Sequence, residues 1–220
     1  MEPEPLPGQL RDYEPIHPGG TDWRALLRRI WAPIAATVGV LVKFSFIFFK
    51  FASIFVAIGG YALIWGWRFA IGFVLLILVH EMGHFVEAKR QGLDPGWPVF
   101  VPFLGAFVAI RGARINAWQN ALVSLAGPFV GGLGAAAVWA AGEANGSRLL
   151  QALGYFGFLI NLFNLIPVGF LDGGQIARSI GYLRRGGAPG KALLITTVYV
   201  GLAIALAVGM YGAHVAQHRL

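Results

Sequence analysis

The stretch Val74-Leu-Leu-Ile-Leu-Val-His80-Glu81-Met-Gly-His84 places three ionisable side chains at the end of an apolar run. The run covers residues 69–89, and a helix that crosses a bilayer needs roughly 17–25 residues. An ionisable group at that depth costs at least about 2–3 kcal/mol. Three of them together therefore indicate a functional site inside a membrane helix.

The spacing of these residues predicts a metal site. His80 and His84 are four residues apart, so they project from one face of the helix and can bind a single ion. Glu81 projects about 100° round the helix, where it can accept a proton from a metal-bound water. The alternative is a pair of core histidines held by hydrogen bonds, which leaves the Glu81 charge uncompensated. Gly83 leaves room for a neighbouring helix.

Asp172 is the candidate for the third protein ligand that a catalytic zinc ion requires. It follows a second apolar run, residues 149–171, and lies at the same depth as the two histidines. Pro167 and Gly169 break that helix, so the backbone can bend toward the site. The alternative makes Asp172 the N-cap of the helix that follows it.

Asn161 and Asn164 share a helical face within the same run and are candidate substrate-binding residues. Two interpretations stay open. The amides can form hydrogen bonds between helices, as polar groups in lipid require partners. Alternatively, Asn164 binds the substrate backbone or stabilises a developing oxyanion.

The composition predicts an all-α polytopic membrane protein. The chain has 220 residues, of which 57% are hydrophobic and only 12% are charged, whereas soluble domains carry about 25% charged residues. The net charge of +7 comes from basic residues between apolar runs. Topology and anionic lipid explain that pattern, so no nucleic-acid partner is expected. Cysteine is absent, which excludes thiolate ligands.

Five to six membrane spans are predicted, together with an orientation. Residues 1–29 are expected to form a disordered cytoplasmic tail, and 30–220 a membrane-embedded domain. Residues 30–49 either lie on the membrane as an amphipathic helix or cross it. With the N-terminus inside, all 17 Lys and Arg residues except three lie on the inner side, which predicts an orientation with the site toward the cytoplasm. The Arg-, Ala- and Gly-rich composition suggests a bacterial plasma membrane. The clearer spans are 49–66, 69–89, 119–141, 149–171 and 192–213.

Residues 95–112 are apolar, but three prolines and Gly105 interrupt them. The segment is too short and too rich in proline for a spanning helix. It predicts two short strands around Leu104-Gly105, a β-hairpin at the membrane face.

Together these motifs resemble the site-2 protease family of intramembrane zinc metallopeptidases. The first motif is His80-Glu81-Met-Gly-His84, and the second is Asn164-x-x-Pro167-x-x-x-x-Asp172-Gly173. Between them, Ala126-Gly127-Pro128 and the hairpin at 98–111 match features common in that family. The resemblance covers residues 68–190.

The resemblance implies one zinc ion bound by His80, His84 and Asp172, with Glu81 as general base. It also implies cleavage of transmembrane protein substrates in the bilayer, with Asn164 holding the substrate chain. Many relatives have Asn-Pro-x-Pro before the aspartate, whereas this chain keeps only Pro167. No stretch is long enough for an appended PDZ or CBS domain. Two alternatives stay open, a metal transporter and a non-catalytic membrane adaptor.

Overall fold

The structure is a computed structural model that describes residues 23–101, 105–112 and 115–217. These residues divide into two compact units, with the division between residues 47 and 48. All residues of the candidate site belong to the second unit. The helices of the described residues are, in chain order, α1 (Trp23–Trp65), α2 (Trp67–Arg90), α3 (Ala117–Asn145), α4 (Arg148–Asn164), α5 (Asp172–Arg185) and α6 (Pro189–Gln217).

The first helix begins inside the segment that the sequence analysis assigns to a disordered tail. Residues 1–22 of that tail lie outside the described residues. From Trp23 the helix continues without a break to Trp65, so the predicted segments 30–49 and 49–66 belong to one helix. Lys43 and Lys50 interrupt the hydropathy of the segment but not its helical backbone, since lysine is a good helix former.

Among the described residues, three helices are long and apolar enough to cross a membrane. They are Trp67–Arg90, Ala117–Asn145 and Pro189–Val215, and they coincide with the predicted spans 69–89, 119–141 and 192–213. The apolar part of α1, Ala52–Trp65, is shorter. The mainly helical class is therefore confirmed, while the predicted total of five to six spans stays a prediction.

The predicted span 149–171 is only partly helical. Helix α4 begins after Ser147, whose side chain accepts a hydrogen bond from Leu150 N, and it ends at Asn164. A turn follows, in which Gly169 adopts a positive φ of 55°. Pro167 predicts this break, because proline cannot continue the helical hydrogen bonds.

The Pro-rich segment forms the predicted hairpin as two nested antiparallel pairs. Strands β1 (Asp94–Pro95) and β4 (Ile110–Arg111) pair at its base, and β2 (Val99–Val101) pairs with β3 (Gly105–Phe107) beyond them. The tip, residues 102–104, lies outside the described residues. The backbone N–H of Phe100 donates to Ser53 Oγ of α1 at 3.2 Å, which ties the hairpin to that helix.

Helix α3 is central to the second unit and packs against α2, α4, α5 and α6. A capping box between Asn116 and Gln119 fixes its start. Small residues let its neighbours approach closely, since a Cβ on Gly83 of α2 would come within 3.0 Å of the Gly127 Cα. The expectation that Gly83 leaves room for a neighbouring helix is therefore confirmed. This contact positions α3 directly beside the motif on α2.

Candidate metal centre

The structure brings together His80, His84 and Asp172, although they come from helices more than eighty residues apart. The Nε2 atoms of His80 and His84 are 3.1 Å apart. His80 Nε2 lies 3.2 Å from Asp172 Oδ2, and His84 Nε2 lies 3.3 Å from Asp172 Oδ1. The two nitrogens and the carboxylate, which approaches each nitrogen with a different oxygen, thus form the three corners of a compact triangle.

The dimensions of this triangle fit a zinc ion. Zinc bonds to nitrogen and carboxylate oxygen of about 2.0–2.2 Å at tetrahedral angles place neighbouring ligand atoms about 3.3–3.5 Å apart. The three separations seen here are close to that value. Three ligands on one side also leave a fourth position open, as catalytic zinc sites do.

The hydrogen bond made by His84 also fits a metal site. Its Nδ1 lies 2.8 Å from the carbonyl oxygen of Val123, and a carbonyl can only accept a hydrogen bond. The proton of the neutral ring therefore sits on Nδ1, and Nε2 turns a lone pair toward His80 and Asp172. Lone pairs that face one another repel, so the cluster is suited to a bound cation.

Glu81 lies beside the triangle rather than in it. One of its carboxylate oxygens and one ring nitrogen of each histidine lie within 4.8 Å of one another. Asp172 approaches the two Nε2 atoms more closely, at 3.2 and 3.3 Å, so Asp172 is the better candidate for a third ligand. Glu81 is only 5% exposed, and a buried carboxylate beside a candidate metal site is suited to proton transfer.

The local sequence explains why Asp172 reaches the histidines. It is the first residue of α5, and the N-cap is Leu171, with no side-chain capping bond. The alternative that made Asp172 an N-cap is therefore wrong. A Cβ on Gly173 would overlap the Leu165 carbonyl, and one on Gly174 would lie 2.7 Å from Gly169 O. Both glycines let the helix fold back tightly onto the preceding turn.

A second glycine contact shapes the metal side of α3. A Cβ on Gly127 would overlap the imidazole of His84. Because Gly127 has no side chain, the ring can turn its Nε2 toward the triangle while Nδ1 reaches Val123 O. The Ala126-Gly127-Pro128 segment therefore contributes the space for this ring through Gly127, while the carbonyl acceptor belongs to Val123, one turn earlier on α3.

The triangle opens into a cavity of about 770 Å³. One wall is β3 of the hairpin, and another is the turn between α4 and α5, where Phe170 is exposed. Polar side chains of α3 and α5 line a third wall. The lining comprises His80, Glu81, His84, Asp172, Tyr61, Ile77, 105–108, Ile110, Asn120, Val123, Ser124, Ile160, Phe163, Asn164, 168–171 and Gln175.

The two asparagines on α4 occupy different positions. Asn164 lines the cavity, close to the turn that carries Asp172. Asn161 is only 1% exposed and is absent from the cavity lining. Its Oδ1 lies 2.7 Å from His80 Nδ1, and its Nδ2 donates to Gly157 O at 2.7 Å.

Sequence reasoning missed two polar contributions to this site. The acceptor for His84 is a backbone carbonyl, Val123 O, for which the side-chain pattern carries no signal. Asn120 lines the cavity and donates to Ser179 Oγ at 2.9 Å, which links α3 to α5. The signal that could have indicated it is a polar residue at the start of the apolar span 119–141, where Asn120 stands.

Comparison with known proteins identifies the family. The model of Peptidase family M50 matches residues 68–147 and 141–208, which together make up more than half of the chain. The chain belongs to Peptidase family M50. This assignment confirms the resemblance to site-2 proteases, and the matched M50 segments contain all three corners of the triangle.

Several M50-type relatives share sequence with this chain. The zinc metalloprotease MJ0392 of Methanocaldococcus jannaschii is 28% identical over 178 residues, which are 75% of this chain and 51% of that protein. The putative zinc metalloprotease Rip3 of Mycobacterium tuberculosis is 26% identical over 176 residues, and the match covers 70% of this chain and 44% of Rip3. The putative zinc metalloprotease sll0528 of Synechocystis is 28% identical over 142 residues, and the match covers 62% of this chain and 37% of that protein. The chain thus spans about half or less of the length of these relatives.

Proposed function

We propose that this protein is a zinc-dependent endopeptidase that cleaves transmembrane segments of membrane proteins. The observation that carries the proposal is the convergence of His80, His84 and Asp172 at 3.1–3.3 Å beside the buried Glu81. A structural ion would need no buried acid next to it and no open cavity. Membership of M50 and relatives named as zinc metalloproteases support the same activity.

Each residue has a distinct role in this proposal. His80, His84 and Asp172 bind one zinc ion, and Glu81 is the general base. Bound zinc lowers the pKa of a water molecule and polarises the scissile carbonyl. Glu81 accepts the proton of the attacking water and then donates it to the leaving amine, which closes the proton cycle without an external acid.

The substrate is a helix that must unwind before cleavage, because a helix hides its peptide bonds. The cavity beside the site is about 770 Å³, and β3 and Asn164 both line it. In the described part of the chain β3 pairs only with β2, so its second edge is available to an added strand. Asn164 then hydrogen-bonds the unwound chain near the scissile bond.

Replacing residues 98–111 by a short flexible linker tests the role of the hairpin. We expect cleavage of a single-span membrane substrate to fall by at least about tenfold, because the added strand loses its main-chain hydrogen bonds. Zinc content should stay unchanged, since no ligand belongs to the hairpin. Retention of both zinc and full proteolysis would exclude the hairpin as the docking strand.

The proposed activity is tested on the full chain in detergent with a generic single-span membrane substrate. We expect about one zinc per chain by elemental analysis, as one triangle of ligands predicts. Mass spectrometry of the products should map the cut to the membrane segment of the substrate. Cuts confined to the soluble flanks of the substrate would contradict cleavage within the membrane, but they would still support a peptidase activity.

Two other functions make different predictions for the same measurements. A metal transporter would move zinc across vesicles and cleave no substrate, and it gives Glu81 no task of its own. A non-catalytic adaptor would be expected to lack one of the ligands, whereas all three candidate residues are present here. The predicted location in a bacterial plasma membrane is part of the proposal and rests on the Arg-, Ala- and Gly-rich composition. The orientation, with the site toward the cytoplasm, rests on the distribution of Lys and Arg.

A further inference from the structure

We infer that Asn161 is a positioning residue, which holds the imidazole of His80 in the one tautomer and orientation that can bind the metal. The inference rests on the proposed function, because it assigns Asn161 a task toward the zinc ion. The sequence predicts a substrate contact for Asn161. Both polar atoms of its amide are used within the protein, however, and only 1% of the residue is exposed.

The hydrogen-bond network fixes the direction of each bond. The carbonyl of Gly157 can only accept, so the NH₂ end of the Asn161 amide must point toward it. The carbonyl end, Oδ1, therefore faces His80 Nδ1 at 2.7 Å. An amide oxygen also only accepts, so Nδ1 carries the proton of the neutral ring. The Nε2 atom of His80 is then left with a free lone pair, directed toward Asp172 and His84.

The two histidines are thus held by different means. A backbone carbonyl holds His84, and no single substitution removes it. A side chain holds His80, so its support can be removed by mutation without touching any metal ligand. Outer partners of this kind fix the tautomer and ring orientation of a ligand, and their loss typically lowers metal affinity by about 10- to 100-fold.

Helix α3 leaves the space that Asn161 needs. A Cβ on Gly131 would overlap Asn161 Oδ1 and would lie 2.9 Å from its Nδ2. A Cβ on Gly134, three residues further along the same helix, would instead meet the side-chain methyl Cγ1 of Val79 at 3.0 Å. Gly131→Ala should therefore displace the Asn161 amide without changing Asn161 itself. Gly134→Ala adds the same methyl group to the same helix away from Asn161, and it serves as the control.

Zinc affinity of the purified full chain, measured by competition with a chromophoric chelator, tests the role. We expect Asn161→Leu to weaken zinc binding by about 10- to 100-fold. Asn161→Asp keeps an acceptor for His80 Nδ1, and its affinity should stay within about tenfold of wild type. Gly131→Ala should behave like Asn161→Leu, whereas Gly134→Ala should bind zinc as wild type does.

Two further measurements separate this role from a loss of packing. Gln151 is also buried on α4, so Gln151→Met reports the effect of losing a buried amide on the same helix, and its zinc affinity should not change. The visible spectrum of the cobalt-substituted protein should change in Asn161→Leu, because the orientation of one ligand changes. If Asn161→Leu does not fold, Gly131→Ala decides the question.

The outcomes distinguish the inference from the proposed function. Wild-type affinity in Asn161→Leu or in Gly131→Ala would overturn the positioning role and leave the metallopeptidase intact. An equally large loss in Asn161→Asp and Asn161→Leu would also overturn it, since the acceptor would then not matter. Failure of the wild-type protein to bind zinc would overturn both.

Discussion

Substitution of Glu81 by glutamine is expected to lower peptide cleavage by about 10²- to 10⁴-fold, the usual contribution of a general base. Glutamine keeps the size of the side chain but cannot accept the proton of the attacking water. Zinc should stay bound at about one per chain, because the triangle of His80, His84 and Asp172 is complete without Glu81. The measurement is the initial rate of cleavage of a single-span substrate, beside elemental analysis of the same preparation.

Glu87 provides the matched control for this substitution. It lies on the same helix, six residues further on, where Arg90 and Gln91 donate hydrogen bonds to its carboxylate. Glu87→Gln therefore changes the same functional group at a position that does not line the cavity. Cleavage should stay within about twofold, since the partner Arg90 is exposed to solvent and such an ion pair contributes at most about 1 kcal/mol to stability. A large loss of zinc in Glu81→Gln would show instead that Glu81 is a ligand.

The sequence predicts most of what positions this site. The H-E-x-x-H spacing places His80 and His84 on one face of a helix whatever surrounds it, because that geometry is local. The break before Asp172 was also predictable, since Pro167 cannot continue a helix. Both features depend on a few neighbouring residues, and both are present in the structure.

Contacts between distant segments could not be predicted in the same way. Nothing in the sequence pattern says that Val123 O accepts a bond from His84, because any residue type can supply that carbonyl. The two asparagines of α4 look equivalent from spacing alone. Only the packing of α4 beside α2 shows that Asn161 faces His80 and that Asn164 faces the cavity. Glycine carries part of this information, since Gly127 and Gly131 mark where side chains of other helices must fit.

The helical spans illustrate a different limit. Hydropathy located α2, α3 and α6 to within a few residues, because each is a long uninterrupted apolar helix. It did not anticipate that one helix, Trp23–Trp65, runs through both the basic segment and the apolar one. Hydropathy reports burial in lipid, whereas helix continuity depends on backbone propensity, and the two need not change at the same residue.

Substitution of Asp172 by asparagine is expected to remove zinc and, with it, all measurable cleavage. The variant keeps the size of the side chain at the start of α5 but loses the negative charge that faces two imidazole nitrogens at 3.2 and 3.3 Å. Loss of a direct ligand should weaken zinc binding by more than the roughly 100-fold that loss of an outer partner costs. Chelator competition measures the affinity, and cleavage is followed at saturating zinc.

Asp94→Asn is the control. The Asp94 side chain is 65% exposed, and its Oδ1 lies 3.7 Å from Lys89 Nζ. The substitution should change neither zinc affinity nor the rate of cleavage.

The two aspartate variants also complete the test of Glu81. If Asp172→Asn kept wild-type zinc affinity while Glu81→Gln lost it, the third ligand would be Glu81 and the base would have to be another residue. Loss of zinc in Asp172→Asn with retention in Glu81→Gln assigns one carboxylate to the metal and the other to the proton. That division is what separates a peptidase from a protein that only binds or transports zinc.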